Sequence, residues 1–409
     1  MAKSHQDVTW LPEALDTRYR YFGFAKTEKG EELCEQMNDL LEDLNEDGTM
    51  AAMEDIWYGD DETLKVIDES GLTGENGTLH VGISAMDEPF NYVRNNKYTG
   101  FNNDIVTRFA KRYGYRIEYT DTEPQGLLIG LKTGKFDMLA TAISYSAERA
   151  EAILFSDPAI RFSNMLAVRQ ESAAGKNTGL LESIRDNYEK TFVREGRWKL
   201  IAEGIGTTCL ITAAAALLGT ALAFGICMLR RTGSTLANIL VNIYVKIMQG
   251  MPMVVLLLIL YYVVFGKSGL AAVWIAVIGF ALHFGANNSE TLRSGIDSVP
   301  PGQREAALTL GYSENRAFLE FILPQAVKRV LPVYRSEVIA LLKGTAVAGY
   351  ISVQDLTKMS DLIRSRTYEA FFPLILTAVI YFLLAWVISL LLNAVMKRFD
   401  SRRKGGKIR

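Results

Sequence analysis

Five apolar stretches crowd into the second half of this 409-residue chain, at 207–229, 236–265, 270–284 with a polar extension to 292, 330–351 and 371–395. A bilayer core about 30 Å thick asks for ~20 apolar residues per helix, a length these stretches approach or exceed, the third and fourth with least to spare. Residues 199–398 are therefore expected to form an all-helical bundle of five membrane spans.

Charge divides the chain at the same place. The net charge is −2, but residues 1–198 carry 22 Lys and Arg against 35 Asp and Glu, whereas residues 199–409 carry 22 against 11. Cations gather after the first span (Arg230, Arg231), between the third and fourth (Arg293, Arg304, Arg316, Lys328, Arg329) and after the fifth (Lys397, Arg398, Arg402, Arg403, Lys404). The positive-inside rule places those three regions in the cytosol, and with them the C-terminus. It leaves loops 266–269 and 352–369 and the acidic half outside. No basic domain suited to nucleic acid is present.

The longest of those cationic connections, 299–324, is patterned as two short helices. Pro300 and Pro301 can open the first, Glu305-Ala306-Ala307 favours it, and Gly311 can end it in the left-handed conformation. The second is expected at 314–323, capped by Ser313 and halted by Pro324. Glu305-Ala306-Ala307, Gly311 and Leu323-Pro324 follow the spacing of the EAA loop, and on them this half resembles the permeases of bacterial ATP-binding-cassette (ABC) importers, in the polar amino acid branch. Phe321, where Ile or Val is usual, is a mild departure. The resemblance implies that Glu305, Ala306, Ala307, Gly311, Leu323 and Pro324 form the helix that couples to a separate ATPase subunit. It also implies a second permease subunit, identical or related, and an amino acid as cargo.

Within the spans, Gln249-Gly250-Met251-Pro252 should kink or break the second helix, as in the permease family, where such a break shapes the translocation path. Asn287, Glu290 and Glu337 are polar groups at membrane depth or its edge, where such groups usually face a cavity or partner. With Gln249 and Pro252 they are the candidate path residues. Arg335 and Lys343 are expected to snorkel to the interface.

The acidic half reads as α/β. A strand is expected at 19–25, a helix through Leu33, Met37, Leu40, Leu41 and Leu44, a turn at Asp47-Gly48, and a short helix ending near Trp57. Residues 71–78 form a linker. Strands at 79–84, 116–119 and 138–143 then alternate with helices at 104–113 and 126–133, which implies a parallel sheet. Glu88-Pro89-Phe90, Gly100-Phe101 with Asp104, Gly134-Lys135-Phe136-Asp137, Ser146-Ala147-Glu148-Arg149 and Phe155-Ser156-Asp157-Pro158 resemble lobe 1 of the extracytoplasmic solute-binding proteins of amino acid importers. On that resemblance Arg149 would pair with the substrate carboxylate beside Ser144, with Asp87 and Phe90 as further contacts.

The expected fold class is α+β multi-domain: a solute-binding-protein-like α/β lobe followed by the five-span permease domain. Its parts are a tail piece of a binding module at 1–70, the linker 71–78, lobe 1 at 79–170, a linker and amphipathic lead-in at 171–198, the permease at 199–398 with its coupling loop, and a basic cytosolic tail at 399–409. Only 171–197 separates lobe 1 from the membrane, too little for a second lobe. Because 19–60 resembles the returning C-terminal piece of a binding protein, tail precedes head. Either 1–65 closes an upstream module in a longer fusion, or the two pieces assemble in permuted order into one lobe. Met1 to Asp16 lacks the apolar core of a signal peptide, so the natural reading frame is expected to begin upstream.

Gly266-Lys267-Ser268 mimics the end of a phosphate-binding loop, but Tyr261 stands where its first glycine belongs. The chain is therefore expected not to hydrolyse ATP, and no cofactor is implied. His5, His80 and His283 are scattered, without metal-ligand spacing, and Cys34, Cys209 and Cys227 suggest no disulfide framework. A glutamate-receptor-type ligand-gated channel would need a re-entrant pore loop and a second lobe after it. A membrane sensor would need an output domain beyond Arg398, where eleven residues remain.

Overall fold

The computed structural model describes residues 8–95, 97–169, 185, 187–193, 196–367 and 371–401; the expected lead-in 171–198 and the basic tail 399–409 fall largely outside the described residues. The chain forms two compact units. One comprises Met1–Glu203, Tyr261–Gly269 and Gly349–Leu374, the other Gly204–Leu260, Leu270–Ala348 and Ile375–Arg409.

The first unit is built on a six-stranded sheet. Its strands are β1 (Val8–Ala25), β2 (Thr78–Ile83), β6 (Arg116–Asp121), β7 (Met138–Ile143), β8 (Ile153–Phe155) and β9 (Ile160–Arg169). The order is β6-β2-β7-β1-β8, with β9 also pairing β1. β2 runs parallel to β6 and β7, while β1 is antiparallel to β7, β8 and β9. A small antiparallel sheet of β3 (Met86–Asp87), β4 (Asn91–Arg94) and β5 (Lys97–Thr99) follows β2. The helices are α1 (Glu28–Glu46), α2 (Thr49–Tyr58), α3 (Phe101–Arg112), α4 (Pro124–Lys132) and α5 (Ala147–Ala152).

β1 starts eleven residues before the strand expected at 19–25. Its early part pairs β9 from Val8↔Arg169 to Arg20↔Ile160, and the register shifts between Trp10 and Ala14. Pro12 lies in that interval; lacking an N–H, it cannot hold a regular ladder and hides the strand in the sequence. The later part puts Gly23 opposite Leu139 and Phe155, so residues 21–25 sit inside the sheet that 78–155 completes. Phe24 is 0% exposed, and α1 presents Leu33, Met37, Leu40, Leu41 and Leu44 as one buried stripe. Thr27 caps α1 by accepting the Gly30 N–H at 3.1 Å. The Trp57 indole donates to Asp104 at 3.0 Å, joining the tail-like and head-like pieces through two of the landmark residues.

The second unit is helical: α6 (Trp198–Arg231, its first turns in the first unit), α7 (Thr235–Gly250), α8 (Met253–Leu258, continued as a π-helical stretch Ile259–Val264 that enters the first unit at Tyr261), α9 (Ala272–Asp297), α10 (Pro301–Thr309), α11 (Glu314–Arg316, continued as a π-helical stretch Ala317–Ile322) and α12 (Leu323–Gly344, followed by a 3₁₀ stretch Thr345–Ile351 that enters the first unit at Gly349). Two more helices follow, α13 (Leu356–Thr367), which belongs to the first unit, and α14 (Phe371–Ser401). Among the described residues, α6 and α14 are each long and apolar enough to cross a membrane, and two bent pairs, bent by 110° and 57°, bring the total to 4 if each counts as one span. α9 has 26 residues, but its apolar run gives way at Asn287.

The 110° bend falls between Gly250 and Met253, where Pro252 has no N–H to carry α7 onward. Pro324 behaves differently from the sequence expectation. It does not halt a helix; it occupies the first turn of α12, where a missing N–H is cheap, and the π-helical stretch before it absorbs the change. Ser313 precedes α11, but its hydroxyl makes no capping bond.

α6 comes close to α9 at Gly219. A Cβ on Gly219 would lie 2.8 Å from the Ala281 carbonyl oxygen and 3.1 Å from the Gly285 nitrogen, atoms that cannot move without moving α9 itself. Small residues at such crossings give membrane helices their packing. Gly219→Val is expected to lower the yield of monodisperse protein in detergent sharply, whereas Gly225→Val, where a Cβ meets nothing, should leave it unchanged. Size-exclusion chromatography of the two variants makes the comparison.

Candidate functional site: a coupling knuckle and a covered sheet edge

The knuckle at 299–324 is held from within. α10 ends in a Schellman turn: the Tyr312 N–H donates to the Ala307 carbonyl at 3.1 Å and the Gly311 N–H to the Leu308 carbonyl at 2.9 Å. That turn needs Gly311 at φ +85°. The Tyr312 ring meets Phe321 edge-on at 4.9 Å, and Arg304 pairs with Glu314 across the turn. Beneath, Val299, Phe318, Ile322 and Ala326 form a buried cluster, and the Arg231 guanidinium sits 3.6 Å over the Phe318 ring. Of the sequence-derived coupling residues, Ala307 is buried while Glu305, Ala306, Gly311 and Pro324 are exposed and Leu323 is half-buried. Leu310, not singled out from sequence, is 75% exposed. The result is a stiff, solvent-facing knuckle with a small-residue face.

Of the path candidates, the structure joins some and not others. Gln249 donates to Asn287 at 3.3 Å, Asn287 contacts the His283 ring at 3.2 Å, and the other ring nitrogen of His283 is 3.0 Å from the Met248 carbonyl oxygen. A polar row therefore ties the end of α7, just before the break at Pro252, to α9, and His283 is a member that sequence reasoning passed over. Glu290 lies one turn further along α9 and is engaged by Arg230 at 2.6 Å and Arg293 at 2.9 Å. Glu337 is half-buried on α12, and among the described residues no hydrogen bond or ion pair ties it to the row. Arg335 donates to Asn393 of α14 at 2.7 Å.

In the first unit, the four candidate substrate residues fall into two pairs. Arg149 is exposed and its guanidinium donates to the Ser144 carbonyl at 3.0 Å. Asp87 is bound by Arg20 at 2.8 Å, and the same guanidinium stacks 4.0 Å over Phe90. Arg20 comes from β1, so no reading confined to 79–170 could find it.

The carboxyl end of β6 carries a buried polar cluster. Asp121 accepts the Ala85 N–H at 2.9 Å, and α13 brings the Lys358 ammonium to 3.0 Å from Glu123 and 3.6 Å from Asp121. The side chains of Lys358 and Asp121 are 2% and 1% exposed. Burial pushes the Asp121 carboxyl above its ordinary value, against the pull of Lys358. Burial also opposes the charge on Lys358, but the two carboxylates outweigh it and hold the ammonium above the ordinary lysine value. Sequence reasoning treated 352–369 as a loop, yet Asp355 caps α13 by accepting the Lys358 N–H at 3.0 Å, and Leu356, Met359, Leu362 and Ile363 line its buried face. Cys34 donates to the Phe155 carbonyl, and burial pushes its thiol up to about 11, consistent with a structural role.

Comparison with known proteins finds two families on this chain, their matches overlapping over 207–305. The family described as "Binding-protein-dependent transport system inner membrane component" matches residues 207–405, and "Bacterial extracellular solute-binding proteins, family 3" matches residues 79–305. A probable amino-acid ABC transporter permease protein, YckA of Bacillus subtilis, is 33% identical over 201 residues, covering 49% of this chain and 88% of that protein. The chain belongs to the family of ABC transporter permeases. It is a permease fused to a solute-binding segment, and its kind is a transport component without enzymatic activity of its own. A putative glutamine transport system permease protein, GlnP of Rickettsia typhi, is 30% identical over 48% of this permease and 92% of its own length. The arginine transport system permease protein ArtQ of Bacillus subtilis is 28% identical, over 49% and 93%. A solved chain described as "Crystal structure of an amino acid ABC transporter with histidines" is 30% identical and covers 54% of this chain and 98% of its own, with a TM-score of 0.46.

Proposed function

We propose that this permease crosses the membrane five times, with residues 1–198 outside and the C-terminus in the cytosol, and carries amino acids inward through a path shared with a second permease, identical or related. The cargo class rests on the permease relatives named for amino acids, glutamine and arginine. The orientation rests on the cations after the first, third and fifth apolar segments.

The observation that carries this reading is the knuckle at 299–324, a rigid exposed turn between helices, placed to receive force from a nucleotide-driven partner. ATP binding would close an ATPase dimer, α10 would move with it, and two permeases would rock between inward-open and outward-open states. Glu305, Ala306, Ala307, Gly311, Leu323 and Pro324 form or support the docking face. Gln249, Pro252, Asn287, Glu290 and Glu337, with His283, border the path. Arg149 with Ser144, and Asp87 with Phe90, are the substrate-facing groups of the solute-binding segment. That segment is one lobe assembled from 8–58 and 78–169, as the pairing of β1 with β7, β8 and β9 supports.

Co-expression with an ABC ATPase and reconstitution into proteoliposomes tests the proposal. Stoichiometric co-purification and ATP-dependent uptake of a radiolabelled amino acid are expected. Ion conductance without any ATPase would instead favour a channel.

A further inference from the structure

Open α/β sheets present ligands at the carboxyl ends of their parallel strands. In this unit that edge is occupied by the chain itself. Lys358 of α13 reaches the end of β6, with its ammonium 3.0 Å from Glu123 and 3.6 Å from Asp121. Around it, Gln354 donates to the Tyr98 hydroxyl at 2.6 Å, Arg366 lies 3.7 Å from Glu88 and 5.1 Å from the Tyr92 ring, and the Tyr262 hydroxyl is 3.4 Å from that of Thr122. A Cβ on Gly126 would lie 2.2 Å from that Tyr262 hydroxyl, so the fit leaves no spare room.

We propose that Asp121 and Glu123 form a primary-ammonium site on the solute-binding segment, and that its occupant is Lys358 of the same chain, a tethered ligand that keeps α13 docked on the sheet edge.

Three features set this apart from an ordinary surface salt bridge. The ammonium is buried, and buried charges persist only when paired. It meets two carboxylates where one would neutralise it, the arrangement of an amine-recognition site. Asp121 uses one oxygen for the Ala85 N–H, while the other is buried with no hydrogen-bond partner among the described residues and faces Lys358 at 3.6 Å. The proposal goes beyond the transport reading and does not require any particular cargo.

Truncating Lys358 to alanine removes three carbons and the ammonium, the outline of n-propylammonium. The test is the apparent melting temperature of the full-length protein in detergent, measured with n-propylammonium chloride, tetramethylammonium chloride or KCl at equal ionic strength. Lys358→Ala should melt well below wild type, and n-propylammonium should restore most of the loss. Tetramethylammonium, which cannot donate a hydrogen bond, and KCl should not. Wild type should not respond, and neither should Lys358→Ala combined with Asp121→Asn and Glu123→Gln. Equal stabilisation by all three salts, or an equal response in wild type, would overturn the proposal. If Lys358→Ala is not recovered folded in KCl, the same variant is expressed and purified with and without n-propylammonium throughout. A yield of monodisperse protein that rises only with the amine supports the site, and a yield indifferent to it overturns the site.

Discussion

Gly311→Val is expected to abolish ATP-driven uptake while leaving the protein inserted in the membrane at its normal level. A Cβ at this position would meet nothing within 4 Å, so the effect is conformational, not a clash. At φ +85° an L-residue pays about 1–2 kcal/mol, and a β-branched one resists the conformation most. Escaping that strain means giving up the bonds from Gly311 to Leu308 and from Tyr312 to Ala307, and with them the angle between α10 and α11. Few buried apolar groups depend on the turn, which is why folding should survive. Coupling should not, because a docking face must hold its angle to transmit force. Gly311→Asn, which tolerates the left-handed region, should keep most of the uptake. Equal activity of the Val and Asn variants would show that the turn transmits nothing.

The second large effect is expected in the sheet. Phe24→Ala should cost about 3–5 kcal/mol in the first unit, the range for emptying a buried aromatic site, because Phe24 is 0% exposed and lies on β1 between Met138 and Leu154. Deleting residues 1–60 should go further, removing β1, α1 and α2 and exposing β7 as an unsatisfied edge. Limited proteolysis reads both: the 78–169 segment should be degraded in the deletion and more susceptible in Phe24→Ala, while the membrane-embedded fragment persists. A 78–169 segment as resistant as wild type after the deletion would show that β1 is dispensable and that the two pieces are separate modules.

These expectations differ in how far the sequence announced them. The strand at 138–143 matches the residues expected and that at 78–83 is displaced by one, because a buried parallel strand is a compact apolar run between turn residues; the edge strand at 116–121 matches within two through the alternation of Ile117 and Tyr119 with polar residues. The end of α10 was equally legible, since one glycine in the right place specifies a Schellman turn. The full length of β1 was not. Its partner β9 lies about 150 residues away, and Pro12 erases the local pattern, so only long-range pairing reveals the strand. Pro324 misled in the opposite sense: a proline reads as a stop, yet at the first turn of a helix it costs little. Lys358 was invisible because 352–369 carries balanced charge and resembles a solvated loop. Its significance depends on Asp121 and Glu123, more than two hundred residues earlier. Arg20, His283 and Lys358 share that character, for each acquires a role from a partner distant in sequence.

The most direct test of the central claim is the side of the membrane on which the knuckle lies. Glu305 is exposed, so Glu305→Cys in a background without Cys34, Cys209 and Cys227 can be probed with a membrane-impermeant maleimide on right-side-out and inverted vesicles. Labelling confined to inverted vesicles is the predicted result. Labelling from the outside would leave the knuckle with no nucleotide-driven partner to contact, and would contradict the account.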